Sequence, residues 1–276
     1  MPITSNPHNH TTYVDGKNTA PEMAKAAYDL GFTSFGFSEH AIQTIDTMYG
    51  LSEENEETYI SEVRSLQKEY AGRMRIWLGM ERDRMSTVDP KKYEYFLGAN
   101  HYLVSDDGDW AGVDADENLL EAWVNRNAGG SWEKALQKYF REYADYIEEI
   151  HPDIIAHLDL IVKQNRKKHW FDEDSEIFLA PARAAMDRMI RVCDVMEVNT
   201  GGTARSNQPV PYPVPRLLKY WHDLGGRVIP ASDCHRSYQL DAWFDRVPAY
   251  LKDAGYTKML RLGTGDTLFE EVDIEG

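Results

Sequence analysis

"RVIPASDCH", residues 227–235, packs an apolar strand and two ligand-type side chains into one short stretch. The run through Val228 and Ile229 follows Gly225 and Gly226, as a buried strand bounded by a turn does. Asp233 and His235 come next, at positions i and i+2. On extended backbone both side chains leave the same face, and Cys234 points to the other, where it reads as a packed thiol. A carboxylate and an imidazole at the end of a buried strand raise the question of whether other strands end the same way.

They do. His40 ends "TSFGFSEH" (33–40), Glu81 ends "MRIWLGME" (74–81), His101 lies in "YFLGANHYLVS" (95–105) and His157 in "PDIIAHLDLI" (152–161). "NPHNHTTYVDGKNT" (6–19) adds a second i, i+2 pair, His8 and His10, followed by Asp15. Each residue alone has an ordinary reading. A His-x-His near a terminus is commonly exposed, a glutamate closing a strand commonly reaches water, and a single histidine such as His101 is commonly a hydrogen-bonded core residue. Independent placement on a surface does not favour the same end of six strand-like runs, so the joint pattern reads as a metal site. The remaining histidines do not share it. His151 lies at the wrong end of a strand, His169 in the polar "NRKKHWFDED", and His222 inside the helix-like "RLLKYWHDLGG"; all three read as structural or exposed. Cys193 reads as core. "DDGD" (106–109) lacks the twelve-residue calcium-loop pattern and reads as a solvated loop.

Helical segments separate these strands. "PEMAKAAYDLG" (21–31) begins with proline and ends with glycine. Apolar residues recur at helical spacing in 56–72, and in 131–150 Trp132, Leu136, Tyr139, Phe140, Tyr143 and Ile147 share a face. Further helices are expected over 175–190, 215–224 and 239–254, with strands at 195–200 and 257–263. Six or seven strand–helix units in succession predict an α/β fold with a parallel sheet, closed or nearly closed into a barrel. In such barrels chemistry gathers at the C-terminal strand ends. Residues 106–130 read as the least regular part, a long loop over one end.

The chain has 276 residues, 42% of them hydrophobic and 28% charged, with a formal net charge of −16. The length suits one large domain, 1–276, with a loop insertion around 106–130. That charge argues against holding DNA or RNA by its phosphates, whereas a local group of cations still suffices for a small anion. No apolar run spans a membrane, and "MPITSNPHNH" carries no secretory pattern. With two cysteines, a reduced cytoplasmic protein is expected, as a monomer or small homo-oligomer.

The same residues resemble the PHP family (polymerase and histidinol phosphatase). "PHNHTTYVDG" is similar to its first motif and "FGFSEHA" to its second. The glutamate of "GME" and the histidine of "GANHYL" are similar to its third, and "AHLDLI" and "ASDCH" to later ones. Within the family the chain most resembles the stand-alone histidinol-phosphate phosphatases, on its length, "PDIIAHLDLI" and "EVNTGG…PYP" (197–213). The resemblance implies a distorted (β/α)7 barrel holding three divalent ions. His8, His10, Glu81 and Asp233 would hold one ion. Glu81, His101 and His157 would hold a second, so that Glu81 bridges, and Asp15, His40 and His235 the third.

Mixed nitrogen and oxygen donors suit zinc, manganese or iron. Three such ions against three carboxylates would leave a positive site for a phosphomonoester dianion. Direct attack by a metal-bound hydroxide, without a phosphoenzyme, is the expected route. Asp233 or His235 would shuttle a proton to the leaving group. Arg205, after the flexible "NTGG", and Lys163, just past "HLDLI", are the expected phosphate ligands. The 106–118 loop is expected to meet the amino-imidazole end of the substrate. The rival readings are a PHP phosphoesterase acting on another small monoester or on nucleotide or oligonucleotide phosphates, an amidohydrolase-type deaminase, and a non-catalytic metal-binding protein. The amidohydrolase barrels commonly use a bridging lysine where Glu81 stands.

Overall fold

Period-two alternation sorts the side chains of Arg75–Asp83 between two buried layers. In this computed structural model, which describes residues 3–206 and 208–274, Ile76, Leu78 and Met80 join the large core under the helices, whereas Trp77 joins a smaller second core. That second core contains Tyr95, Leu97, Ile154, Ala156, Val195 and Ile229 from four other strands and is the barrel interior.

Among the described residues, seven strands form the barrel sheet: β1 (Ser5–Asn6), β2 (Ser34–His40), β3 (Arg75–Asp83), β4 (Tyr95–Ala99), β5 (Ile154–Ile155), β6 (Val195–Asn199) and β7 (Arg227–Ala231). They lie in sequence order and every pairing is parallel. The ends meet just beyond β1 and β7. There Asn9 bridges Cys234, with His10 N–H donating to the Cys234 carbonyl at 2.9 Å and Cys234 N–H to the His8 carbonyl at 3.2 Å. The result is the nearly closed β/α barrel expected from the strand–helix alternation.

Nine α-helices occur among the described residues: α1 (Ala20–Asp29), α2 (Glu53–Glu69), α3 (Glu117–Asn127), α4 (Trp132–Ile150), α5 (Val162–Lys168), α6 (Glu176–Met189), α7 (Gly201–Arg205), α8 (Pro215–Asp223) and α9 (Val247–Asp253). None is long and apolar enough to cross a membrane. Thr19 and Glu22 close a capping box on α1. The expected face of α4 is buried through Leu136, Tyr139, Phe140, Tyr143 and Ile147, while Trp132 is only partly covered and stacks on Trp170 at 4.2 Å.

Three expectations need correction. Residues 95–105 form two strands, Tyr95–Ala99 and Tyr102–Val104. Backbone groups near the break are taken by side chains: Tyr143 Oη donates to the Gly98 carbonyl at 2.7 Å, Tyr139 Oη to that of Asn100 at 3.2 Å, and Asp83 accepts the His101 N–H at 2.7 Å. Residues 106–130 are not a loop throughout. They hold a strand, Trp110–Gly112, and α3, which Asp116 caps and which buries Leu120, Trp123 and Val124. The helix expected over 239–254 shortens to α9, after a 3-10 turn at Ser237–Gln239. The strand expected over 257–263 is present as β8 (Lys258–Leu262), outside the barrel sheet. It pairs antiparallel with β9 (Phe269–Asp273).

Instead, β8 plugs the bottom of the barrel. Leu260 and Leu262 enter the inner core, Ser34 Oγ donates to the Leu262 carbonyl at 2.6 Å, and Trp77 Nε1 donates to the Gly263 carbonyl at 2.9 Å. Above this plug Tyr95 crosses the interior, its hydroxyl donating to the Pro7 carbonyl at 2.5 Å. Gly36 and Gly79 make the crossing possible, since a Cβ at either would overlap the Tyr95 phenol. Tyr95 thereby separates the apolar floor from the polar residues at the barrel mouth.

Candidate metal centre and active site

Nine ligand-type side chains named from the sequence converge above Tyr95. Glu81 sits at their centre, 1% exposed. One carboxylate oxygen, Oε2, lies 2.7 Å from His40 Nδ1, 3.3 Å from His8 Nε2 and 3.6 Å from His10 Nε2. The other, Oε1, lies 2.9 Å from His157 Nε2 and 3.5 Å from His101 Nε2. Asp233 approaches His10 Nε2 at 3.2 Å and His8 Nε2 at 3.7 Å. His235 Nε2 lies 3.0 Å from Asp15, which also faces His40 at 3.9 Å. His8 and His10 both face Glu81 and Asp233, as the i, i+2 spacing predicts, but Asp233 lies past the end of β7 in a left-handed conformation (φ 47°), so extended backbone does not set the directions of Asp233 and His235.

Three sets of these residues bring ligand atoms within 4.8 Å of one another: His10, Asp15, His40 and His235; His8, His10 and Asp233; and His40, Glu81 and His101. The partition differs from the one the resemblance implied. His10 joins two sets, and His40 reaches toward Glu81 as well as Asp15. Among the described residues, buried atoms here without hydrogen-bond partners include His8 Nε2, both ring nitrogens of His10, Asp15 Oδ1, Glu81 Oε2 and His157 Nδ1. Polar atoms buried and unpartnered on this scale are costly in a folded protein. Imidazole nitrogens and carboxylate oxygens turned toward a common space are the donor set of divalent ions, so the residues present fit such a group.

Electrostatics supports this reading. Burial opposes charging every group here. Even so, Glu197, Glu81 and Asp233 hold the His8 imidazole well above its ordinary value, and Glu81 and Asp15 do the same for His40. Glu81 and Asp233 are held well below the usual carboxylate range despite burial, the first by His40, His8 and His101, the second by Arg205, His8 and His10. His235 lies below its ordinary value, through burial and then His10 and Arg205. A cluster whose acids favour neighbouring positive charge is one that cations would stabilise.

The cluster forms one wall of a cavity of about 710 Å³, lined also by Lys17, Gln43, Asp46, Tyr49, Tyr102, Asp114, Lys163, Arg205, Arg236 and Tyr238. Both expected phosphate ligands are in place, and both are engaged. Arg205 Nη2 donates to Asp233 Oδ2 at 2.8 Å, and its Nη1 to the Asp233 carbonyl. Lys163 Nζ donates to Asp114 Oδ2 at 2.9 Å. From the 106–118 segment Asp114 does reach the cavity, neutralised by that lysine; Asp46, from the segment after β2, is a second cavity carboxylate and accepts from Tyr102 Oη at 3.3 Å.

Residues 6–201, well over half of the chain, match the model of the PHP domain. The chain belongs to the PHP family. A probable histidinol-phosphatase of Schizosaccharomyces pombe is 24% identical over 96% of this chain and 90% of its own length. One of Deinococcus radiodurans is 26% identical over 90% of this chain and 92% of its own. Among solved structures, a protein of Listeria monocytogenes superposes with a TM-score of 0.75 at 18% identity, covering 88% of this chain and 99% of that one. A histidinol phosphate phosphatase of Lactococcus lactis, solved with zinc, L-histidinol and phosphate, gives 0.65 at 15% identity, covering 95% and 97%. These two likenesses carry the PHP barrel.

Outside the barrel mouth of this PHP domain the other histidines behave as read. His151 and His169 occupy left-handed positions that end α4 and α5, and His222 packs its ring on Tyr256 at 4.8 Å. Cys193 and Cys234 are buried free thiols.

Three buried carboxylates escaped the sequence reading. Glu197 Oε2 lies 2.8 Å from His8 Nδ1, and its Oε1 accepts from His157 N–H and from Asn199 Nδ2, both at 2.7 Å. Asp83 Oδ2 lies 3.1 Å from His101 Nδ1. Glu39 accepts from Thr11 N–H and Oγ1, both at 2.5 Å, and so shapes the loop that follows His10. A charge inside the apolar "VMEVN" and an aspartate at i+2 from Glu81 were the available signals. With these acids counted, the site is less positive than three carboxylates implied. Six buried or partly buried acids belong to the cluster, and Asp46 and Asp114 line the cavity beside it.

Carboxylates behind ligating histidines fix ring orientation and basicity, and losing one typically costs 10- to 100-fold in metal affinity. Glu197→Gln is therefore expected to weaken divalent-ion retention by about that factor, measured by competition with a chelator of known affinity. Unchanged retention would show that Glu197 does not orient His8.

Proposed function

We propose that this chain is a metal-dependent phosphomonoesterase that hydrolyses L-histidinol phosphate to L-histidinol and phosphate. The observation that carries the chemistry is Glu81, one oxygen facing His8, His10 and His40 and the other facing His101 and His157, two of which, His40 and His101, line a substrate-sized cavity. The substrate assignment is supported by the two relatives named histidinol-phosphatases over at least nine-tenths of this chain, and by the related structure solved with zinc, L-histidinol and phosphate. One domain serves the whole reaction, with the 106–130 segment contributing to its rim.

His8, His10, Asp15, His40, Glu81, His101, His157, Asp233 and His235 would hold up to three zinc, manganese or iron ions. When bound, such ions supply Lewis acidity and lower the pKa of water to about 7. The chain's own residues do the rest. Arg205 offers a planar fork for two phosphoryl oxygens, exchanging its hold on Asp233 for the substrate. Lys163 adds a second positive charge from the N-terminal turn of α5. Asp233, an ionised carboxylate held on the cavity wall between His10 and Arg205, takes up the proton that the attacking water releases and hands it to the leaving oxygen, and Asp15 steadies His235 beside it. Asp46, with Tyr102, is placed to meet the cationic amino-imidazole end.

The test is phosphate release by purified protein reloaded with manganese or zinc. Substrates are L-histidinol phosphate, a panel of sugar phosphates and short single-stranded DNA. Turnover of the first is expected at a kcat/KM about 100-fold or more above the others, since a site built to pair polar groups strongly rejects substrates lacking them. Comparable rates across the panel would make the chain a general PHP phosphoesterase instead.

A further inference from the structure

We infer that Tyr212 is a phosphate-binding residue whose phenolic hydroxyl donates a hydrogen bond to a non-bridging phosphoryl oxygen. The inference rests on the phosphomonoesterase reading and adds a residue that reading does not use. Tyr212 is 2% exposed, and its hydroxyl has no hydrogen-bond partner. Such a group calls for an explanation, because a buried phenol ordinarily finds an acceptor.

Its surroundings supply one. Tyr212 lines a small niche of about 20 Å³ together with His101, Asp114, His157, Lys163 and Arg205. A space of roughly 10–15 Å³ admits one water-sized atom, so the niche takes a single oxygen. The two acids there are already neutralised: Asp114 binds Lys163 at 2.9 Å, and Asp233, also on the niche wall, binds Arg205 at 2.8 Å. Lys163 and Arg205 thus stand in the niche wall with the phenol, beside two ligand-type histidines, and an anionic oxygen that draws either cation from its carboxylate meets the phenol as a further donor. Burial raises the phenol above its ordinary value, which keeps it protonated as a donor.

The position is also rigidly held. Tyr212 and Asn199 exchange both backbone hydrogen bonds, at 2.8 and 3.0 Å, and the Asn199 side chain binds Glu197, the acid behind His8 and His157. The phenol is thus tied to the strand that orients two ligand-type histidines. Gly202 borders the hydroxyl so closely that a Cβ there would lie 2.9 Å from it, and the glycine leaves that space open.

The experiment compares metal-loaded wild type with Tyr212→Phe, which removes the hydroxyl alone. Calorimetric titration with inorganic phosphate is expected to give an affinity about 10- to 100-fold weaker, the range for a hydrogen bond to a charged group, with a similar fall in kcat/KM for L-histidinol phosphate. The melting temperature should hold or rise, because an unpaired buried hydroxyl has been deleted. Unchanged phosphate affinity overturns the inference. A lowered melting temperature with unchanged affinity would assign the hydroxyl to a buried water shared with the unpartnered Asp159 Oδ1. If wild type binds phosphate through Tyr212 but does not turn over L-histidinol phosphate, the substrate assignment fails and this inference stands.

Discussion

Glu81→Gln should lower turnover by about three orders of magnitude or more while leaving the barrel folded. The reason is geometric. Both Glu81 oxygens are committed, Oε2 to the side of His8, His10 and His40 and Oε1 to that of His101 and His157. An amide keeps one acceptor and turns an N–H₂ donor toward the other group of nitrogens. It also removes a negative charge from a site whose histidines depend on it: burial opposes protonation of His40 and His101, and Glu81 is the largest influence that offsets it. The substitution is nearly isosteric, so Trp77 and Tyr95 below keep their packing. Elemental analysis after gel filtration should show fewer ions per chain than wild type, alongside a near-native circular dichroism spectrum. A variant with full metal content and full activity would refute the bridging role.

Removing divalent ions should abolish phosphate release and lower the melting temperature by about 10 °C. An ion at roughly a thousand times its Kd stabilises the native state by about 4 kcal/mol. For a chain of this size each kcal/mol moves the midpoint by about 2–4 °C. The stabilisation has an evident source in the unpartnered atoms of His8, His10, Asp15, Glu81 and His157, which an ion would satisfy. The measurement is differential scanning calorimetry after dialysis against a chelator, then again after adding manganese or zinc. Recovery of both the midpoint and activity is expected. A midpoint indifferent to chelation and to added ions would mean that the cluster is a hydrogen-bonded polar core.

Much of the site was legible because each strand is read locally. Extended backbone sends alternate side chains to opposite faces, so "PHNH" places two ligand-type residues on one side, whereas "SDCH" reaches the site through a left-handed Asp233 that the spacing did not foretell. The parallel barrel then brings the C-terminal ends of its strands together. Arg205 and Lys163 line the cavity, but their attachments to Asp233 and Asp114 were not readable, because each pair is joined across 28 or 49 residues. The helix in 117–127 was missed for a comparable reason: its one face is short, and Trp123 is fixed by the carbonyl of Asp109, in the loop before it.

By itself, then, the amino-acid sequence determined the strand–helix alternation and the nine ligand-type residues near the strand ends. Backbone geometry writes that information into neighbouring positions. Only the tertiary structure decided that Glu197 stands behind His8, that β8 stoppers the barrel, and that Tyr212, with its unpartnered hydroxyl, shares a niche with Lys163 and Arg205. Those arrangements depend on which distant segments come within hydrogen-bond reach once the barrel closes, and no local window of residues carries that.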